Sequence, residues 1–296
     1  MHEPNDPFVK FLQTRLDRRV YLKPYRGNSG DELISMGNEV LLKELGIEQV
    51  VDPRKADLIL WPGGNPAMWQ EHLAGWQDCW KQFPNTEFVV APATFQGSVQ
   101  DWRTPLETTR ARIGGVFARD TVSFRELQSL KLPGGAVIGL GHDPAFHLRN
   151  SEWVARHRDA ATSEYILASF RGDHESVFAK PVWGGKLSGI WPLSSVAFRL
   201  ANRRQEQAVE QRLRQIRQIS GTKAEIMAVD APLMSFQLFV ELVRRADQVH
   251  TDRLHCMILS LLLGKQVFAY PTAYGKLEGV YEQSIKSWAE VQFVRA

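Results

Sequence analysis

The chain has 296 residues, 44% of them hydrophobic and 23% charged, with a formal net charge of +3. That length suits one large domain or two ordinary ones, and the charge is too small to argue for nucleic acid. Two cysteines, Cys79 and Cys256, make neither a disulfide framework nor a metal-ligand spacing, which suits a reducing cytoplasm.

Met1 to Pro7 carries neither a basic nor an apolar leader pattern, and no stretch approaches the roughly 20 apolar residues of a membrane span. The first predicted strand is Arg19 to Leu22. It runs through Tyr25-Arg-Gly-Asn-Ser-Gly-Asp-Glu-Leu-Ile34 into a helix reaching about Leu45, with Leu33, Ile34, Val40, Leu41 and Leu45 on one face. A strand, a Gly-x-x-Gly turn and a helix make a loop in which small residues let an anion or hydroxyl approach the backbone. It is not the dinucleotide fingerprint. Asp57 to Trp61 is the next strand, ended by Pro62-Gly-Gly-Asn-Pro66, a second glycine turn pointing to the same edge. A tryptophan-rich helix from about Met68 to Phe83 precedes the strand Glu87 to Ala91. Gly115 to Arg125 reads as strand to helix, with Asp120 or Thr121 as cap and Arg119 at the strand's end. Val137 to Phe146 reads as strand then loop. Nine tryptophans and fifteen phenylalanines suit core packing, or aromatic platforms for sugars.

Residues 150–163 are polar and broken, the expected linker between an N-terminal α/β domain over 1–150 and a C-terminal one over 164–296. Tyr165 to Phe170 begins the second set of strands. A glycine- and proline-rich loop follows, a candidate lid. The helix from about Arg203 to Ile219 sets Val209, Leu213 and Ile216 on one side, with Arg203, Arg204, Arg212 and Arg214 on a solvated basic face. Glu225 to Val229, a helix near Leu233 to Arg245, and Gln248 to His250 complete this part. Strands alternate with helices throughout, the pattern of parallel α/β sheets.

Thr251 to Gly264 is the most informative stretch. Leu254, Met257, Ile258, Leu261 and Leu262 form the stripe of a core-facing helix, with Thr251 or Asp252 as N-cap and Gly264 as its stop. Arg253 and His255 crowd the positive end of the helix dipole, where anions are favoured. Either an anion is held there by N–H groups, Arg253 and His255, or Asp252 pairs with Arg253 and His255 packs. Gln266 to Tyr270 is a buried strand, and Lys276 then leaves its C-terminal end, where open α/β sheets place ligands.

Other chemistry is poorly served. His142 with Asp143, and Asp173-His174-Glu175, lack a known metal-ligand spacing, so no metal is expected. No nucleophile elbow occurs, and Cys256 reads as a buried thiol. Glu282 and Glu290 share an E-x7-E spacing that charged helices produce by chance.

Gly27-Asn-Ser-Gly-Asp31, Gly63-Gly-Asn65, Ala118-Arg-Asp120, Asp143-Pro-Ala-Phe146, Thr251-Asp-Arg-Leu-His255 and Tyr274-Gly-Lys276 occur in that order. The set resembles the polysaccharide pyruvyl transferase family, especially its bacterial exopolysaccharide branch. The resemblance implies a GT-B-like fold of two Rossmann-like α/β domains facing a cleft, the last helix able to pack back on the first. It implies transfer of pyruvate from phosphoenolpyruvate to two hydroxyls of a sugar, as a cyclic ketal, with no cofactor beyond that co-substrate. The expected partners are phosphoenolpyruvate and a saccharide acceptor, not nucleic acid. The expected location is the cytoplasm, at the inner membrane face if the acceptor is lipid-linked.

By the same resemblance the donor side comprises Arg119, Arg253, Leu254, His255, Tyr274 and Lys276, with Arg253 and His255 in direct contact. The acceptor side comprises Asn28, Gly30, Asp31, Glu32, Gly63, Gly64 and Asn65. Arginine binds carboxylate and phosphate in a bidentate way, and histidine exchanges protons near neutral pH, which makes His255 the candidate acid. Asp31 or Glu32 either orients a sugar hydroxyl or stabilises its helix as a first-turn carboxylate. The exopolysaccharide branch usually has Gly-His where this chain has Cys256-Met257, and Asp-Asn-Ser where it has Pro271-Thr-Ala273. The alternatives are a nucleotide-sugar glycosyltransferase and a carbohydrate-binding pseudoenzyme of the same fold.

Overall fold

The chain divides into two α/β units: Met1–Asp159 with Lys276–Ala289, and Ala160–Gly275 with Glu290–Ala296. The computed structural model describes residues 5–24, 27–66, 70–96, 102–158, 165–171, 210–229, 234–272 and 275–294. The candidate lid after Arg171, the Asp173-His174-Glu175 run, Arg203, Arg204 and Tyr274 lie outside these residues.

In the first unit, α1 (Pro7–Gln13) precedes β1 (Val20–Leu22), α2 (Ser29–Glu44), β2 (Leu58–Trp61), α3 (Gln70–Gln82) and β3 (Glu87–Ala93). Then come α4 (Arg103–Thr108), β4 (Ile113–Ala118), α5 (Thr121–Gln128), β5 (Val137–Leu140), a 3₁₀ segment Pro144–Asn150 and α6 (Glu152–Arg158). Helix α1 was not among the expected elements. Its signals are local: Asp6 accepts the Phe8 N–H at 2.8 Å, Pro7 fits the first turn, and Phe8, Val9, Phe11 and Leu12 are buried. The expected linker at 150–163 also needs correction, because α6 occupies part of it. The Ser151 hydroxyl accepts the Val154 N–H at 3.2 Å, and Val154 is buried.

The five strands are parallel and lie in the order β1-β2-β3-β4-β5. Outside β1 the chain adds one more parallel contact at Val20 and Gln49, with Val20 N–H donating to Glu48 O and Val50 N–H to Val20 O. The chain thus goes outward after β1 and returns on the other side with β2. That reversal makes the C-terminal ends of β1 and β2 a topological switch point, where open α/β sheets bind ligands.

Both faces of the sheet are covered. Phe8, Phe11, Leu12, Leu41, Leu42 and Phe117 fill one side, and Trp61, Trp76, Trp80, Phe88, Phe95 and Trp102 the other. Trp76 is fully buried and meets Trp61 edge-on at 6.0 Å. These tryptophans are core, so they do not serve as sugar platforms. On α2, a Cβ at Gly37 would fall 2.0 Å from Pro144 O, so only glycine lets that helix approach the 3₁₀ segment.

In the second unit, β6 (Tyr165–Ser169) is followed by α7 (210–220), β7 (Glu225–Val229), α8 (Phe236–Arg245), β8 (Ala246–Thr251), α9 (Leu254–Leu262) and β9 (Gln266–Ala269). Helix α8 buries Phe236, Phe239, Val240 and Val243, the i, i+3, i+4, i+7 stripe, and Ser235 caps it. The chain then supplies α10 (Lys276–Val280) and a π-helical turn, Tyr281–Ile285, to the first unit before β10 (Val291–Phe293) pairs with β9. Within the first unit, Ser284 Oγ lies 2.8 Å from His142 Nδ1, and Trp288 meets Phe146 at 5.9 Å under the Arg149 guanidinium. The second sheet is also parallel, in the order β10-β9-β8-β6-β7, so its switch point falls between β6 and β8.

Candidate active site

The switch point of the first unit is framed by the two glycine turns. Asn28 caps α2, its side-chain oxygen accepting the Gly30 N–H at 2.8 Å, while the Asp31 carboxylate accepts the Asn28 N–H at 2.8 Å. This reciprocal capping box fills the helix-stabilising role open to Asp31. Gly30 is buried with Ser29, whereas Asn28 and Glu32 are exposed. Across the switch point, Gly63 and Gly64 adopt φ of 115° and 90°, and a Cβ at Gly63 would sit 2.7 Å from Pro92 O. Gly64 O accepts the Thr94 N–H at 2.9 Å, which holds the turn against the end of β3. Asn65 is 8% exposed, and its Oδ1 makes no hydrogen bond among the described residues.

Arg119, expected on the donor side, is fully buried inside the first unit. Its Nη1 lies 2.6 Å from Asp143 Oδ2 and its Nε donates to Thr94 Oγ1 at 2.9 Å. Asp143 Oδ1 caps the following 3₁₀ segment through the Ala145 N–H. Neighbouring Asp120 caps α5 by accepting from Ser123 N–H, and receives Thr94 and Gln96 as well. The signature residues Arg119, Asp120 and Asp143, with Thr94 and Ser123, therefore form one buried network joining the ends of β3, β4 and β5. Lys276 opens α10 in the first unit, while Arg253, Leu254 and His255 belong to the second.

At the second switch point the strand ends are tied crosswise. Thr251 Oγ1 donates to Ser169 O at 2.6 Å and accepts the Arg253 N–H at 2.9 Å. Asp252 Oδ1 accepts the Arg171 N–H at 2.7 Å. Neither Thr251 nor Asp252 is the N-cap of α9, as the sequence suggested. Arg253 holds that position with no side-chain cap, and the helix begins at Leu254. Thr251 is instead the last residue of β8, and the carboxylate of Asp252 is taken by β6's extension. Arg253 is 9% exposed and His255 half-buried, both at the opening of α9, while Leu254 anchors the helix in the core. Gly264, at φ 70°, ends it as expected.

Strand alternation puts His250 on one face of β8, in register with Ala168 on β6 and Phe268 on β9. Helix α7 packs on that face, Ile216 touching Ile166 and Ala168. Its Arg212, expected on a solvated face, is 8% exposed, with the guanidinium carbon 4.4 Å from the Tyr270 ring centre and 4.7 Å from that of Phe170. Arg214 does point to solvent. Sequence periodicity missed Arg212 because cation–π contacts leave no helical stripe.

Electrostatics follow from burial. Desolvation raises the Asp252 carboxyl to about 6, against Arg171 N–H, Arg253, Arg171 and Arg212, which favour its ionised form. Desolvation, with Arg212 nearby, lowers His250 to about 4, and its Nδ1 lies 2.9 Å from the Tyr270 hydroxyl. Burial pushes Tyr270 up to about 12. Cys256 sits beneath this edge with its thiol pushed up to about 11 by burial, an inert core group. Arginines gather at this switch point of an α/β unit, beside the opening of α9.

A family model, polysaccharide pyruvyl transferase, matches residues 28–274, and the chain belongs to that family. This span contains α2, the Gly63-Gly64 turn, the second switch point and the Arg253-Leu254-His255 block. Among solved structures, a Klebsiella pneumoniae protein, KP1_0663, is similar at 20% identity with a TM-score of 0.64, over 98% of this chain and 97% of that one. Its likeness bears out the α/β fold. The UDP-GlcNAc 2-epimerase of Methanocaldococcus jannaschii scores 0.39 at 14% identity, covering 97% and 84%. The Staphylococcus aureus MnaA–UDP structure scores 0.35 at 12%, covering 94% and 72%. No curated protein sequence matches. Among the described residues, no helix is long and apolar enough to cross a membrane.

Proposed function

We propose that this chain transfers pyruvate from phosphoenolpyruvate to two hydroxyls of a saccharide, forming a cyclic ketal. The observation that carries the reading is Arg253-Leu254-His255 at the opening of α9, on the switch point of the second sheet. A phosphate there would meet backbone N–H groups, the positive end of the helix dipole and the Arg253 guanidinium. Protonation of the donor's methylene carbon leaves an oxocarbenium centre that bears the phosphate. One sugar hydroxyl adds to that centre and loses its proton. Inorganic phosphate then departs with the C–O bonding pair, and the second hydroxyl closes the ring, releasing another proton. His255, one residue into α9 beyond Leu254, is the assigned proton donor to carbon.

The acceptor side is assigned to the first switch point, with Asn28, Gly30 and Glu32 at the opening of α2 and Gly63, Gly64 and Asn65 after β2. The half-buried Asp31 keeps a hydroxyl-orienting role there beside its cap. No cofactor beyond phosphoenolpyruvate is required. A lipid-linked saccharide would bring the enzyme to the inner membrane face. The test is thermal stabilisation: a ligand that binds only the folded state raises the melting temperature. Phosphoenolpyruvate should stabilise the protein and nucleotide sugars should not; the reverse pattern would favour a glycosyltransferase.

A further inference from the structure

The second switch point holds an arginine that lies outside the family's signature blocks. Arg212 reaches the strand ends from α7, on the face opposite the one α9 covers. Phe170 and Tyr270 follow β6 and β9 and lie against Arg212 of α7, while Asp252 follows β8. The two rings meet edge-on at 5.1 Å, and the guanidinium lies within 5 Å of each ring centre. This slot fixes the guanidinium plane, since arginine stacks on aromatic faces through a rigid, planar head. A structural clamp on the helix could be made by a methionine or leucine at less desolvation cost. Burial already pulls the Arg212 pKa below the ordinary guanidinium value, with Tyr270 and Asp252 opposing that shift. The Tyr270 N–H donates to Thr251 O at 2.9 Å and Thr251 Oγ1 accepts the Arg253 N–H at 2.9 Å, so the Arg212 slot and Arg253 share these strand ends.

We infer that Arg212 is a specificity-determining residue that binds the carboxylate of the donor, while the opening of α9 and Arg253 bind its phosphate. The assignment rests on the reading of the donor site given above. A phosphate suits a helix N-terminus, and a planar carboxylate suits a planar guanidinium fork. Phe170, Tyr270 and Gln215, whose Oε1 accepts from Nη1 at 3.2 Å, hold the guanidinium in place. The site therefore selects ligands that carry a phosphate and a carboxylate on neighbouring atoms over ligands that carry a phosphate alone.

The test is calorimetric titration of the full-length chain with phosphoenolpyruvate, 2-phosphoglycolate and inorganic phosphate. Wild type should prefer both carboxylated ligands to phosphate by roughly tenfold or more, the worth of one charge-assisted contact. Arg212→Met keeps an apolar stem in the aromatic slot, and should erase that preference while leaving phosphate affinity unchanged. Arg212→Lys keeps the charge without the fork and should retain part of the preference. A melting temperature near wild type shows that either variant is folded; if Arg212→Met fails this control, Arg212→Lys decides. A full preference in a folded variant overturns the assignment, as does a wild type with no preference. If wild type prefers the carboxylated ligands yet releases no phosphate from phosphoenolpyruvate with any acceptor, the transfer reading falls and the Arg212 assignment stands.

Discussion

Arg119 offers the sharpest test of how the first unit is built. Both it and Asp143 are fully buried, with 2.6 Å between Nη1 and Oδ2. Replacing Arg119 by Met removes the cation and keeps an apolar stem, leaving the carboxylate in a low-dielectric interior. Breaking a buried pair in this way costs about 3–5 kcal/mol. Removing both charges, in Arg119→Met/Asp143→Leu, should recover much of the loss. What the double variant keeps losing is the Asp143 cap on the Ala145 N–H, about 1 kcal/mol. Urea unfolding followed by tryptophan fluorescence reads this unit, whose core holds Trp61, Trp76, Trp80 and Trp102. Two units need not unfold together, so each transition is fitted separately. A single variant as stable as wild type, or a double no better than the single, would refute the argument. Normal stability with weakened phosphoenolpyruvate binding would return Arg119 to the donor site.

Three further outcomes are expected. Arg253→Ala should weaken phosphoenolpyruvate binding by roughly 1.5–3 kcal/mol with normal circular dichroism, and Arg253→Lys should restore only part of it; calorimetry showing equal affinity would remove Arg253 from the site. His255→Gln should bind the donor within several-fold yet lose about 10²–10⁴ of its turnover, and a variant that turns over like wild type would move the acid elsewhere. The third concerns pH. Asp252, raised from 3.8 to about 6, contributes stability that is full below 3.8 and lost as pH rises through 6. His250, lowered from 6.5 to about 4, contributes stability present above 6.5 and lost as pH falls through 4. The two oppose each other. Asp252→Asn should therefore lose more stability than wild type between pH 6.5 and 4, and His250→Gln less, each by up to about 3 kcal/mol. Urea midpoints across that range check the signs, and parallel profiles for all three proteins would contradict them.

What the sequence revealed and what it hid follow from the range of the forces. Buried strands such as Leu58–Trp61 and the α9 stripe declare themselves locally, because every residue faces core. The glycine turns did too, since φ of 115° at Gly63 leaves little choice of residue. Asp252 misled because aspartate is a good N-cap, and only the fold brings the Arg171 N–H to claim it. Arg212 was hidden more deeply: the rings that hold it, Phe170 and Tyr270, come from segments far away in sequence on either side. The reversal at β1 rests on the single contact of Val20 with Gln49, too short to leave a hydrophobic pattern.

Pyruvyl transfer from phosphoenolpyruvate is read out by a single assay. Phosphoenolpyruvate is incubated with a panel of bacterial saccharides, free and lipid-linked, while released phosphate and acceptor mass are followed together. For one acceptor, phosphate release should match a mass gain of one pyruvic acid less one water, the stoichiometry of a ketal closed on two hydroxyls. Arg253→Ala should abolish both signals. Phosphate release without a mass gain, or a sugar added from a nucleotide donor instead, would rule out pyruvyl transfer.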